Sequence, residues 1–299
     1  MNYRLQLMLG LCLSVIVLNG AYAENVTLKH KNVTLNAYVE KAGDWPGRVV
    51  LMTHGTLANN RTETLSGLQD ALKSRGISSL SINLSYGIDN RASATYDCAV
   101  PHRYKHTDAL DEIGAWLAWL KQQGAKDIVL LGHSRGGNQT AWFAAERNDP
   151  AVSRLVLIAP TTWTADGTTR SYRANYNTDL APLLKKAQAL VAGGQPDTLL
   201  EHIGFLYCPD GTATAAAFVS HYADEARFDT PSLLSKLKQR VLVVAGTGDE
   251  VVPDIVARVK PLADGKKIRL TVIDGADHAF LDLYAGDLSG AVIPFITEP

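Results

Sequence analysis

A mostly parallel α/β sheet with helices on both faces is predicted by three features of this sequence. Short continuous apolar runs recur, among them Val49-Val50-Leu51-Met52, Ile128-Val129-Leu130-Leu131, Leu155-Val156-Leu157-Ile158 and Val241-Leu242-Val243-Val244-Ala245. Runs of that length without polar alternation read as strands covered on both faces, as parallel strands are. Helical stretches separate them, and parallel strands need such crossovers. Finally, the alternation stops after Pro160 and resumes near residue 240, so one long insertion interrupts a single domain.

The elements follow in order. Between residues 25 and 40, Val26 and Leu28, then Val33, Leu35, Ala37 and Val39, alternate with polar residues and predict two antiparallel edge strands. Ala42-Gly43-Asp44-Trp45-Pro46-Gly47 is a turn cluster, and the strand at 48–52 runs into His54-Gly55-Thr56-Leu57. A helix at 63–74 ends at Gly76, and 77–84 is the next strand. The helix at 108–122 places Leu110, Ile113, Leu117 and Leu120 at helical spacing. His102, His106 and Asp108 precede it and read as a helix start, with Thr107 or Asp108 as N-cap, rather than as a metal site. Strands at 128–131 and 153–159 flank a helix at 139–147. Residues 161–230 offer helical segments at 180–191, 197–202 and 213–223 and no convincing strand, so an all-helical cap over the strand ends is expected. The sheet resumes at 241–245, followed by a helix at 254–260, a strand at 267–273 and a last helix at 280–296. The division is a core of 24–160 and 231–299 and a cap of 161–230.

Residues 1–23 are set apart as a signal peptide. Arg4 supplies the positive start, residues 5–18 the apolar stretch, and Ala21-Tyr22-Ala23 an A-x-A cleavage site before Glu24. No second apolar run of spanning length follows, so a periplasmic or secreted protein with no membrane span after cleavage is expected. Cleavage removes one base and no acid, leaving 28 bases against 30 acids, a formal charge of −2. With no basic block, nucleic acid is not an expected partner. Cys12 leaves with the signal, and Cys98 and Cys208 remain as an even pair in an oxidising compartment, which predicts a disulfide between them.

Chemistry concentrates at Gly132-His133-Ser134-Arg135-Gly136-Gly137. An apolar strand, a Gly-x-Ser-x-Gly turn and a helix in immediate succession form a nucleophile elbow, which strains the serine and lifts its hydroxyl out of the sheet. Gly132 and Gly136 are required because a Cβ at either would collide with the neighbouring chain. A serine hydroxyl needs a base, and the base an orienting acid. His278, in Gly275-Ala276-Asp277-His278, and Asp249, in Gly246-Thr247-Gly248-Asp249-Glu250, each follow the carboxyl end of a buried strand. Glu250 is the reserve for the acid, and Asp277 the weaker alternative because adjacent side chains point apart. The order Ser134, Asp249, His278 differs from the trypsin and subtilisin orders. Backbone N–H groups for the oxyanion are expected from Arg135 and from Thr56, with Leu57 second.

On these motifs the chain resembles the α/β-hydrolases of the esterase, lipase and thioesterase kind over about residues 25–297. The resemblance implies an eight-stranded, mostly parallel sheet with a cap inserted after the sixth strand. The oxyanion loop, His-Gly-Thr-Leu, departs from the glycine-rich run of many lipases. The expected function is an exported serine hydrolase acting on carboxylic esters through an acyl-enzyme, with no cofactor and no metal. Its expected partner is a small acyl substrate. Thioester, amide or peptide cleavage by the same triad, or a non-catalytic binding role for the fold, are the alternatives. Leu57, His133, Trp163 and Tyr207 are the candidate pocket residues, in a cap rich in aromatics. Arg170 and Arg173 read as solvated surface charge rather than as contacts to an anionic substrate.

Overall fold

The computed structural model describes residues 22–42, 45 and 47–299. The expected signal peptide lies almost wholly outside these residues.

Ten strands and nine helices are described. In order they are β1 (Tyr22–His30), β2 (Val33–Lys41), β3 (Arg48–Thr53), α1 (Glu63–Lys73), β4 (Ser78–Asn83), α2 (Asp108–Gln122), β5 (Asp127–His133), α3 (Arg135–Arg147) and β6 (Val152–Ile158). The inserted segment carries α4 (Ala165–Tyr176), α5 (Leu180–Ala192), β7 (Leu199–Phe205), β8 (Cys208–Thr214), α6 (Ala215–Tyr222) and α7 (Thr230–Leu234). The chain closes with β9 (Arg240–Gly246), α8 (Ile255–Val259), β10 (Ile268–Ile273) and α9 (Leu283–Thr297).

Eight strands form one sheet in the order β1-β2-β4-β3-β5-β6-β9-β10. β1 and β2 are the antiparallel edge pair expected from their alternation, and β2 runs antiparallel to β4. The remaining six strands are parallel. Alternate residues of each parallel strand enter different cores, which is why these strands read as unbroken apolar runs. Leu51, Leu130, Leu157 and Val243 pack with Ile113, Trp116 and Leu117 of α2 and Trp142 of α3 on one face. Val50, Val129, Val156 and Val244 pack with Leu65, Leu68 and Leu72 of α1 and Leu288 and Val292 of α9 on the other.

The chain builds outward from β3 to β4, then crosses back to place β5 on the other side of β3. The carboxyl ends of β3 and β5 thus flank a topological switch point, where a crevice opens in such sheets.

The inserted segment differs from its expected all-helical form. Residues 199–214 make an antiparallel hairpin, β7 with β8, where a helix at 197–202 was expected. Register shifts after Leu200 and after Ile203 break the period of two that marks a strand. Helix α4 was not foreseen either, because Gly167, Thr168 and Thr169 give its sequence weak helical propensity. Its start is fixed instead by the Thr164 side chain, which accepts from Gly167 N at 3.0 Å. Cys98, in the loop before α2, is disulfide-bonded to Cys208 at the start of β8, with Cα atoms 5.5 Å apart. The bond ties the hairpin to the sheet domain, as the cysteine pair predicted. No helix among the described residues is long and apolar enough to cross a membrane.

Candidate active site

Ser134 stands between β5 and α3 with φ 56° and ψ −125°, a strained conformation for a residue with a side chain. The turn is held from three sides. Ser134 N donates to Ile158 O at 2.8 Å, and Ser134 O accepts from Gly137 N at 2.9 Å and from Thr161 N at 3.3 Å. A Cβ on Gly132 would stand 2.3 Å from Gly136 O, and one on Gly136 would stand 2.3 Å from His54 O. The two glycines are therefore demanded by backbone crossing backbone, as the motif predicts.

His278, after β10, meets Asp249, after β9. Asp249 Oδ2 lies 2.8 Å from His278 Nδ1, while Asp249 Oδ1 accepts from Val251 N at 2.8 Å and Val252 N at 2.9 Å. Burial pushes the Asp249 carboxyl up, but the bonds to His278 and to the two N–H groups outweigh it and hold it below the ordinary value. Asp249 is 3% exposed. The two alternatives for the acid stand elsewhere: Glu250 is exposed, and Asp277 Oδ1 accepts from Ala279 N and Phe280 N, closing the turn after His278. His133 donates from Nε2 to the carbonyl oxygen of His278 at 2.8 Å. Burial lowers the pKa of His133 to about 4, so near neutrality it is an uncharged strut for the loop that carries His278.

The loop after β3 brings Thr56 to Arg135. Arg135 Nε donates to Thr56 Oγ1 at 2.9 Å, linking the two residues expected to supply oxyanion donors. Neither backbone N–H donates to another backbone group among the described residues. His54, fully buried, fixes this loop: its Nδ1 donates to Gly55 O at 2.9 Å and its Nε2 accepts from Leu84 N at 3.1 Å. Burial and the nearby Arg91 guanidinium lower its pKa to about 3, so both contacts are those of a neutral imidazole.

A cavity of about 230 Å³ opens at Ser134 and His278 and is lined also by Gly55, Thr56, Ala58, Thr64, His133, Ala279, Leu281 and Tyr207. A second, of about 460 Å³, lies between the sheet edge and the inserted segment and includes Arg135, His106, Trp163, Tyr176 and Tyr207. Of the four candidate pocket residues, His133, Trp163 and Tyr207 line one or both cavities. Leu57 does not. It packs into the core with φ 54°, and its carbonyl accepts from Tyr96 N at 2.8 Å. The turn that aims Thr56 outward drives Leu57 inward. Arg173 is a surface residue paired with Asp179, as expected, whereas Arg170 lines the second cavity.

His106 and the Arg135 side chain are site residues that sequence reasoning missed. His106 was read as part of a helix start, and Arg135 only as a backbone donor. Asp108 does begin α2 and accepts from Lys105 N at 2.8 Å, and His102 stacks on Tyr96 with ring centroids 4.6 Å apart. Among the described residues, no group of three or more His, Cys, Asp or Glu side chains is arranged to hold a metal ion.

Comparison with known proteins gives a consistent picture of the fold. The model of the Alpha/beta hydrolase family matches residues 49–287. No curated protein sequence matches the chain significantly. Among solved structures, Est1E from Butyrivibrio proteoclasticus is similar at 18% identity and TM-score 0.64, covering 91% of this chain and 97% of its own. The Pyrococcus furiosus esterase Pf2001 is similar at 16% identity and TM-score 0.58, covering 92% of each chain. The Paleococcus ferrophilus monoacylglycerol lipase is similar at 15% identity and TM-score 0.61, covering 88% of this chain and 98% of its own.

Proposed function

The chain belongs to the alpha/beta hydrolase family, and from that premise we propose that it is an exported serine hydrolase that cleaves carboxylic esters. Ser134 Oγ attacks the acyl carbon. His278 takes the proton through Nε2, since Nδ1 is engaged by Asp249, and returns it to the departing alcohol. Asp249 holds that tautomer and stabilises the imidazolium. The N–H groups of Thr56 and Arg135 stabilise the oxyanion, that of Arg135 at the positive end of α3. Water then enters, His278 activates it, and the acyl-enzyme is released as acid.

The observation that carries this reading is the buried Asp249 carboxylate on His278 Nδ1 at the mouth of a cavity that contains Ser134. An acid–base pair that shares a cavity with a strained serine supports a serine nucleophile served by His278. Esters are preferred to other acyl compounds because the similar Pyrococcus furiosus protein is named an esterase and the similar Paleococcus ferrophilus protein a monoacylglycerol lipase. Export rests on the Ala21-Tyr22-Ala23 site and on the Cys98–Cys208 bond, which persists in oxidising compartments.

A fluorophosphonate probe tests the nucleophile. Wild type should label and turn over p-nitrophenyl butanoate, and Ser134→Ala should do neither while keeping its circular dichroism and Tm. Equal labelling of the variant ends the proposal. Export is checked separately: the protein recovered outside the cytoplasm should begin at Glu24.

A further inference from the structure

Among the described residues Arg135 is a cation without a counter-ion. Its Nε donates to Thr56 Oγ1, and its Nη1 approaches His106 Nδ1 at 3.4 Å. Both acceptors are neutral, since burial, with the Arg135 charge next, holds His106 well below the usual histidine range. Among the described residues no carboxylate oxygen lies within the 4.0 Å of an ion pair with Arg135. Two nearby arginines are paired, Arg258 with Asp229 at 2.8 Å and Arg227 with Glu225 and Glu146 at 2.6 Å, whereas Arg170 on the same cavity is exposed. A guanidinium cannot shed its proton, so a half-buried one held only by neutral acceptors lacks the gain of an ion pair against its desolvation.

Arg135 lines the second cavity. Its charged lining is Arg135, Arg170 and Arg258 against Asp254 alone, and Arg258 is already compensated. Three of the four tyrosine hydroxyls there are engaged by the insertion's own backbone: Tyr172 donates to Gly204 O, Tyr176 to Leu206 O, and Tyr222 accepts from Leu206 N. The charge left to a ligand is therefore positive, carried by Arg135 and Arg170, and Arg135 is one residue from the nucleophile. The cavity beside Ser134 is different in kind, lined by Ala58, Ala279 and Leu281 with Glu63 as its one carboxylate and no arginine or lysine, and Thr56 and Tyr207 line both.

We propose that Arg135 is an anion subsite and that the ester cleaved at Ser134 carries a carboxylate, which docks on the guanidinium fork. The uncharged arm fills the cavity of Ala58 and Leu281. This rests on the ester-hydrolase reading. A planar carboxylate matches the fork geometry and is held by paired charge-assisted hydrogen bonds. The carboxylate belongs either to the acyl arm or to the alcohol arm, and two pairs of probes separate these.

Calorimetry on the folded Ser134→Ala protein compares each anion with its neutral counterpart. Mono-p-nitrophenyl glutarate is set against p-nitrophenyl pentanoate for the acyl arm, and para-carboxyphenyl butanoate against phenyl butanoate for the alcohol arm. In one pair the carboxylate should improve affinity by about tenfold or more, the scale of a charged hydrogen-bonded contact. The gain should shrink as salt rises, vanish in S134A/R135Q and survive in part in S134A/R135K. No gain in either pair, or an undiminished gain in S134A/R135Q, overturns the subsite. The first comparison leaves Arg135 untouched, so it decides even if R135Q does not fold. Turnover by wild type is a separate readout: if none of the four esters is cleaved, the hydrolase reading fails while the binding comparison still decides the subsite.

Discussion

The carboxyl edge of the sheet and the segment inserted over it are held by different forces. At the edge, Ser134, Asp249 and His54 are 4%, 3% and 0% exposed, and each is pinned by hydrogen bonds to backbone. Over it, aromatic rings hold the inserted segment together: Tyr172, Phe205, Phe218 and Tyr222 form a cluster with centroids 4.7 to 6.2 Å apart. One covalent bond ties that cluster to the sheet domain. Directional bonds fix position to fractions of an ångström, whereas ring packing tolerates rearrangement. The edge is thus suited to chemistry that needs fixed geometry, and the inserted segment to a binding surface that can differ without disturbing it.

The largest expected effect breaks the edge. Asp249→Asn keeps the shape but lets the amide stabilise the wrong tautomer of His278, and kcat should fall by about 10⁴-fold. Glu250→Gln, on the exposed neighbour, should leave kcat within about twofold. Equal effects from the two would show that the bond from Asp249 to His278 has no catalytic role. Burst kinetics with p-nitrophenyl butanoate measure both.

The next effect loosens the inserted segment. Removing the Cys98–Cys208 bond, which spans 110 positions, should lower stability by about 4–5 kcal/mol in the chain-entropy model. In C98S/C208S the Tm should drop by about 8 °C or more. The kcat on a short ester should fall far less than in Asp249→Asn, because the edge keeps its own hydrogen bonds. A loss of kcat as large as that of Asp249→Asn would mean that the edge depends on the segment above it.

Acid tests both regions at once. Burial lowers the pKa of His54 and His221 to about 3, and of His133 and His102 to about 4. The unfolded chain binds protons near pH 6.5, so it takes up more than the folded chain below that value. Stability is then complete above about pH 6.5 and falls as pH drops toward the folded values, by about 1.4 kcal/mol per histidine per pH unit. Glu112 opposes this. Burial raises its pKa to about 7 despite bonds from Ser85 and the charge of Arg91, so it favours the fold as pH falls from 7 toward 4.5. His106 is held low as well, so five groups against one give a net loss, and Tm should fall clearly between pH 7.5 and 5.5. His221→Phe, among the rings of Tyr104 and Phe205, should flatten that slope. A Tm independent of pH over this range would refute the neutral assignment of these histidines.

The same contrast decided what the sequence made legible. Ser134, Asp249 and His278 sit where short apolar strands end, and strand ends can be read from hydropathy runs and flanking glycines. Thr56 followed from its place after β3. The inserted segment has no such grammar. Its hairpin carries register shifts that erase the period of two, and its first helix depends on one capping threonine rather than on propensity. The role of Arg135 was hidden for another reason. Its position in the motif announces a backbone donor, whereas the direction of its side chain depends on His106, twenty-nine positions away.

Tyr207 offers the finest test, because it belongs to the inserted segment yet lines the cavity of the edge. It is 61% exposed, lies in the turn of the β7–β8 hairpin, and borders both cavities. A side chain so exposed contributes little to folding, so Tyr207→Ala should leave Tm within about 2 °C of wild type. It also removes the aromatic partition between the two cavities. KM for short esters should rise a few-fold while kcat changes less, since the lost contacts are made equally in the ground and transition states. If the hairpin also helps to aim the bound ester, kcat falls with kcat/KM and the segment takes part in the chemistry. If neither constant moves, Tyr207 is surface, and selection between esters lies deeper, among Trp163, His106 and Arg135.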